Sequence, residues 1–329
     1  MAVLVTGATG FIGSHIVKKL KSKGEDVRVL VRETSKTGEI DRLGITKKVG
    51  DITNAASVRS ALEDCDTLYH CAGFVSFRKS DYKKMVEINV EGSKNVLSSA
   101  LDAGVKRVVF TSSVAALGPS LKGVLITEDT PADPRFAGSN IGYMSVKRSA
   151  EATALDFCGK GLDVVITNPS VVVGAGDVHL SSAGSVLWYC KRRFPGYMDG
   201  TLNLVDVEDV AEGHLLAAEK GRAGERYILS NTNLTVIEYF SLLEKVTGVP
   251  APKIKIPYAA AYATAFLTER VLGFAFPNYS TMDLDSVKLS RYNWHVDCSK
   301  AERELGYKKS SIEESLRATV DWFKSEGLL

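Results

Sequence analysis

Residues 3–14 read VLVTGATGFIGS: an apolar run, then Gly7-Ala8-Thr9-Gly10-Phe11-Ile12-Gly13, then the opening of an amphipathic stretch. The run predicts a β-strand and the stretch a helix, so the glycines stand where a strand hands over to a helix. Glycine lets the backbone turn tightly there, and the helix that follows opens with N–H groups that have no intrahelical acceptor. With the partial positive charge of a helix N-terminus, those donors suit a pyrophosphate. The spacing by itself marks only a tight turn. In the first strand–helix unit of the chain it predicts a dinucleotide site built from Gly7, Thr9, Gly10, Phe11, Ile12 and Gly13.

Outward from this loop, residues 1–170 alternate short β-branched runs with longer amphipathic stretches. Strands are predicted over 3–6, 27–31, 46–50, 67–71, 107–111 and 164–168, with helices over 12–21, 55–63, 86–103 and 143–158. Strands separated by helices need crossover connections, hence a parallel sheet covered on both faces: a doubly wound α/β (Rossmann) fold. Beyond residue 170, NPSVVVGAGDVHL (168–180) and KRRFPGYMDG (191–200) carry the Gly and Pro punctuation of loops. A helix over 206–220 and a strand over 226–229 then read as a return toward the main sheet, and the rest as helices over 235–247, 259–272, 300–305 and 311–325. The expected organisation is a nucleotide-binding domain over 1–170 with returning segments near 204–230. A smaller, mostly helical, discontinuous substrate domain is expected over 171–203 and 231–329.

Composition narrows the function classes. The 329 residues are 45% hydrophobic and 24% charged, which excludes a disordered tail, a collagen-like repeat and a small disulfide scaffold. Lys plus Arg total 41 against 39 Asp plus Glu, so no nucleic-acid partner is expected. The five cysteines (65, 71, 158, 190 and 298) are odd in number and form no C-x-x-C pair, so neither disulfides nor a metal site is expected, and reduced thiols in a cytoplasmic protein are. MAVLVTG has no basic n-region, so no secretory signal is expected. The apolar stretch 256–268 is thirteen residues long, short of the ~18 a spanning helix needs, so no membrane span is expected.

The end of the second strand discriminates between cofactors. A fold that holds a free ribose 2′-hydroxyl places Asp or Glu about 20 residues past the glycines. Here VRVLVRETS puts Arg32 there, and a cation suits a 2′-phosphate better than a hydroxyl. NADP is therefore favoured over NAD. Glu33 beside it weighs the other way, and an ordinary exposed arginine is the plain alternative.

Tyr143 and Lys147 are four apart in GYMSVKRSAE, which puts them on one helix face. A free phenol titrates near ~10, too high for proton exchange with a substrate at neutrality, and a neighbouring ammonium lowers that value. A serine hydroxyl could hold a substrate oxygen while the tyrosine exchanges its proton. Ser112 and Ser113 end the strand RVVFTSS, at the carboxyl edge where open α/β sheets bind ligands. Alone, the pair reads as a solvated helix face; after the glycine loop and a strand-end serine it reads as a proton-transfer set.

The chain resembles the extended short-chain dehydrogenases/reductases of the NAD(P)-dependent epimerase/dehydratase group, in particular dihydroflavonol-4-reductase-like proteins and hopanoid-associated sugar epimerases. The resemblance rests on TGATGFIGSH, VLVR, GDIT, YHCAG, INVEGSKNV, FTSSVAALG, GYMSVK, NPSVVVG, NLVDVEDVAEGHLLAAEKG, GERYILS and CSKAERELGY. It implies that Tyr143 is the acid/base, that Lys147 lowers its pKa and binds the nicotinamide ribose, and that Ser113 polarises the substrate oxygen. It further implies Asp51 and Ile52 flanking the adenine, Cys71, Ala72, Gly73 and Thr111 along the cofactor, and Pro169 and Ser170 near the carboxamide. Asp51 could instead cap the next helix and Cys71 only pack; Asn89 looks structural. A homodimer through the helices near 82–103 and 140–158 is expected on the same ground.

Three departures bear on the substrate. The serine usual just before the lysine sits one position early, as Ser145. Val114 and Ala115 stand where nucleotide-sugar dehydratases carry an Asp-Glu pair. Thr201, Leu202 and Asn203 stand where epimerases present an arginine to a diphosphate, leaving Arg291 or Arg192 as substitutes. The apolar stretch 256–276 reads either as a core-packing helix or as a wall over a greasy pocket. The expected function is reduction of a ketone or aldehyde on a small, fairly apolar molecule by NADPH. The competing readings are a sugar epimerase working through a keto intermediate and a non-catalytic NADP sensor.

Overall fold

A computed structural model of the chain describes residues 2–121, 123–131, 142–268 and 284–329. Seven strands form the main sheet: β1 (Ala2–Thr6), β2 (Asp26–Val31), β3 (Thr46–Val49), β4 (Cys65–His70), β5 (Arg107–Thr111), β6 (Val164–Pro169) and β9 (Arg226–Leu229). Their order is β3-β2-β1-β4-β5-β6-β9 and every adjacent pair is parallel. The alternation of a strand sorts its side chains into two cores. Val5, Val29 and Val109 face the helices Phe11–Ser22 and Val207–Lys220. Leu4, Leu30 and Phe110 face Ser93–Asp102 and Gly142–Gly159. This is the doubly wound sheet expected from the sequence.

From β1 the chain builds outward through β2 and β3, then returns to the other side of β1 with β4. The order reverses there, at the carboxyl ends of β1 and β4, the place where such sheets hold ligands.

The region beyond 170 is more regular than its punctuation suggests. β7 (Val171–Val173), β8 (Thr201–Asp206) and β10 (Thr232–Thr235) form a second sheet, with β8 parallel to β7 and antiparallel to β10. A helix, Gly184–Cys190, lies between the two stretches read as loops. The helices Val236–Thr247, Tyr258–Leu267, Leu284–Leu289, Ser299–Leu305 and Ile312–Ser325 complete this part; the first starts on a Thr235–Glu238 capping box. The helix expected over 259–272 is present as Tyr258–Leu267, and 269–272 lie outside the described residues. The helix expected over 86–103 is broken into Tyr82–Val86, a π-helical turn Glu87–Gly92, and Ser93–Asp102. Among the described residues no helix is long and apolar enough to cross a membrane.

Candidate active site

The glycine loop takes its shape from the chain's own backbone. Gly7 has φ +72°, and a Cβ there would meet Ala72 N at 2.5 Å, so the turn after β1 lies directly against the segment after β4. A Cβ on Gly13 would come within 2.2 Å of the Gly7 carbonyl oxygen. The Gly10 N–H donates to that oxygen at 2.9 Å. Gly10 then caps the helix Phe11–Ser22 with no side-chain acceptor, leaving the first-turn amides of Phe11, Ile12 and Gly13 at an uncapped helix end. Phe11 is buried and Thr9 and Ile12 are half-buried beside it.

Arg32 is exposed, one residue past β2, and its N–H donates to Ser35 Oγ at 3.2 Å. Asp51 does not cap the helix Ala55–Ala61; Asn54 does, accepting from the amides of Ala56 and Ser57. Asp51 Oδ1 instead accepts from the Thr53 N–H and hydroxyl, both at 2.9 Å. Ile52 is buried against Gly92, in the π-helical turn.

The segment Cys71–Phe74 is held by groups that no spacing rule singled out. Asn89 clamps the Phe74 backbone, accepting its N–H at 2.9 Å and donating to its carbonyl at 2.8 Å. A Cβ on Gly73 would sit 2.9 Å from Asn89 Oδ1, which accounts for the glycine. Behind it runs a directed chain: the Ala72 N–H donates to Thr6 Oγ1 (3.4 Å), which donates to His70 Nδ1 (2.7 Å). His70 Nε2 donates to Ser93 Oγ (2.9 Å), and that hydroxyl donates to the Asn89 carbonyl (2.6 Å). Each hydrogen is used once, which requires neutral His70, and burial pushes its pKa down to about 3.

At the ends of β5 and β6 the structure brings Ser113, Tyr143, Lys147 and Thr111 together. Lys147 Nζ donates to the Thr111 carbonyl at 3.0 Å. Ser113 caps the short helix Val114–Leu117 by accepting from the Ala115 N–H at 3.2 Å, and its hydroxyl hydrogen-bonds the Tyr143 phenol. Thr111 Oγ1 lies 3.3 Å from Cys71 Sγ and 2.9 Å from His214 Nε2. His214 is buried, donates from Nδ1 to the Val210 carbonyl at 2.7 Å, and is held neutral by burial, its pKa near about 4. Pro169 ends β6; Ser170 turns into the second sheet, donating to Asn203 Oδ1 at 2.6 Å.

The electrostatics differ from expectation. Burial pushes the Tyr143 phenol up to about 12, opposed by the Ser113 hydrogen bond, and Lys147 is not what acts on it. Burial likewise pulls Lys147 down to about 8, with Glu151 and Cys71 acting the other way. A four-residue spacing shows that two groups share a helix face; it carries no information about how much water each has lost.

The surroundings of the phenol are apolar. Tyr143, Leu289, Tyr292 and Trp294 pack on Ala115 and Met144, and the Phe77 ring meets Tyr143 edge-on at 5.7 Å. The two arginines named as substitutes for a diphosphate clamp are both exposed. Arg291 lies over the Tyr258 ring at 5.0 Å, and Arg192 lines a cleft with Tyr189, Phe194 and Val249. Thr201 and Asn203 are tied up in the chain's own hydrogen bonds. In the apolar stretch, Ala261 and Ala265 pack on Val287, while Tyr262 and Phe266 stack with their rings exposed; 269–276 lie outside the described residues.

Known proteins resemble the chain over most of its length. Residues 3–230 match the sequence profile described as NAD dependent epimerase/dehydratase family. A Synechocystis sp. protein provisionally named a dihydroflavonol 4-reductase is 36% identical over 98% of this chain and 94% of its own length. A Stigmatella aurantiaca 4-hydroxy-2-methyl-3-oxo-4-farnesyl-3,4-dihydroquinoline-1-oxide ketoreductase is 30% identical, covering 93% of this chain and 92% of its own. The crystal structure of gox2253 superposes with a TM-score of 0.89 at 33% identity, covering 100% of this chain and 99% of that one.

Proposed function

The chain belongs to the NAD dependent epimerase/dehydratase family and is an NAD(P)-dependent oxidoreductase, and from that premise we propose that it uses NADPH to reduce a ketone or aldehyde on a small, fairly apolar molecule. The observation that carries this reading is the group formed by Ser113, Tyr143 and Lys147 under an apolar wall. The residues present fit a dinucleotide: the uncapped helix end at Gly10 suits a pyrophosphate, and Arg32 suits a 2′-phosphate.

When bound, the reduced nicotinamide supplies the hydride. Everything else falls to side chains of this chain. The Ser113 hydroxyl can turn from the phenol to the substrate oxygen, and the Tyr143 O–H gives its proton to that oxygen as negative charge develops on it. Lys147, anchored on the Thr111 carbonyl, sets a positive charge beside the site. A phenol held protonated near about 12 suits a donor. Thr201, Leu202 and Asn203 themselves offer no cation to a diphosphate, which favours a carbonyl reductase over a nucleotide-sugar epimerase. The intact proton-transfer set argues against a pure NADP sensor. The named ketoreductase, whose substrate carries a farnesyl chain, is similar over most of its length and favours a carbonyl on an apolar molecule.

The direct test is NADPH absorbance during a screen of aromatic and aliphatic ketones and aldehydes alongside nucleotide sugars. Net NADPH loss with carbonyls is expected; interconversion of a nucleotide sugar with no net loss would replace this reading by the epimerase.

Two further results are expected. Arg32→Ala should weaken NADPH binding by ~10- to 100-fold, the worth of a charge-assisted hydrogen bond, and NADH binding by no more than ~2-fold. Titration calorimetry reads both, and equal losses would remove Arg32 from the 2′-phosphate site. Reduction should also fade as pH rises through about 8, because Lys147 is charged below that value and neutral above it. A turnover profile that climbs through this range contradicts the role given to the ammonium.

A further inference from the structure

Glu151 stands one turn beyond Lys147 on the helix Gly142–Gly159, completing the row Tyr143, Lys147, Glu151. Its side chain is buried, with 5% exposure. A carboxylate removed from water must find partners or take up a proton. Glu151 has two: Oε1 accepts from Arg226 Nε at 2.6 Å, and Oε2 accepts from Asn168 Nδ2 at 2.7 Å. The same amide nitrogen donates to the Ser113 carbonyl at 3.1 Å. Both hydrogens of the amide are thereby used, and a flip would aim Oδ1 at two acceptors, so the orientation of Asn168 is fixed. The backbone of Ser113 is thus tied to the carboxylate through a single amide group.

Resting on the reading of Ser113 and Lys147 given above, we propose that Glu151 is a positioning residue of the reaction site: through Asn168 it fixes the Ser113 backbone, and from the face it shares with Lys147 it sets a negative charge beside the ammonium. The groups around Lys147 leave this part to Glu151. Tyr143 on the same helix keeps its proton and His70 at the end of β4 is neutral; Cys71 beside it, its thiol pushed up to about 12 by burial, acts on the ammonium less than Glu151 does. From β5 comes the Thr111 carbonyl. Arg226, on β9, sits on the far oxygen of Glu151 and partly offsets its field.

The test titrates Lys147 itself, by carbon-13 NMR of ε-labelled lysine in the protein without cofactor, the resonance being assigned with Lys147→Arg. The wild-type midpoint is expected near about 8. In Glu151→Gln it should fall by about one pH unit, the usual effect of losing one nearby carboxylate. In Arg226→Gln the carboxylate survives and its offsetting cation is gone, so the midpoint should hold or rise. A residue that only braces the fold would move neither in opposite senses. An unshifted midpoint in Glu151→Gln overturns the proposal, as does a fall of similar size in Arg226→Gln, which decides the matter alone if Glu151→Gln does not fold. The measurement uses neither substrate nor NADPH, so a protein inert toward carbonyls would overturn the functional reading separately.

Discussion

Tyr143→Phe should cut the rate of carbonyl reduction by ~10²- to 10⁴-fold, the usual worth of a positioned proton donor, while leaving NADPH affinity and the melting temperature near their wild-type values. The substitution removes one oxygen and keeps the ring. Packing on Met144 and the edge contact with Phe77 survive, so the fold has little to lose. What goes is the O–H that faces the Ser113 hydroxyl, the group assigned here to give up the proton. Steady-state rates with the best carbonyl from the screen, together with a NADPH titration, separate the two quantities. Turnover within ~3-fold of wild type would mean that the proton comes from elsewhere and that the site is wrongly assigned.

Gly13→Ala should raise the NADPH dissociation constant by at least ~100-fold, which is ~2.8 kcal/mol at ~1.4 kcal/mol per decade. The added Cβ would lie 2.2 Å from the Gly7 carbonyl oxygen and 2.8 Å from its carbon. Both are backbone atoms, so no side chain can swing aside; the loop or the helix start must shift. Either shift moves the amides of Phe11 and Ile12 away from the pyrophosphate they would hold. Overpacking of this kind also costs ~1–3 kcal/mol of stability, visible as a lowered melting temperature. Gly24→Ala is the control: φ is +81° there, with open space around the position, so it carries backbone strain without touching the loop. Cofactor affinity lost equally in both variants would show that general destabilisation, and not the clash, is responsible.

Much of the main sheet was legible because its evidence is local. Val3–Thr6 and Arg107–Thr111 announce themselves as β-branched runs, and GATGFIG as a strand-to-helix turn, with no knowledge of distant residues. β7 was not legible: three residues flanked by Ser170 and Gly174 make no periodic pattern, and they form a strand only because Val171–Val173 find Leu204–Asp206. The π-helical turn at Glu87–Gly92 was hidden for another reason. One wide turn leaves amphipathic helix on both sides, and its purpose, to present Asn89 to the Phe74 backbone, is visible only in three dimensions. Within the site, spacing put Tyr143 and Lys147 on one helix face but could not say that both are buried, and burial is the largest influence on each. Glu151 was in plain view in KRSAE, but Asn168 and Arg226, which give it meaning, come from two later strands.

The outer neighbour of β6 is β9, which the chain supplies only after passing through β7, the helix Gly184–Cys190, β8 and the helix Val207–Lys220. A fragment ending near residue 170 would therefore expose a bare row of amide and carbonyl groups along β6, the kind of border that recruits foreign strands. It would also lack His214, which hydrogen-bonds Thr111 and Thr167 on β5 and β6, and Arg226, which holds Glu151. The nucleotide-holding half is not a detachable module. Excision, grafting or domain exchange has to carry the chain through Leu229, taking along the segment that also forms one side of the second sheet.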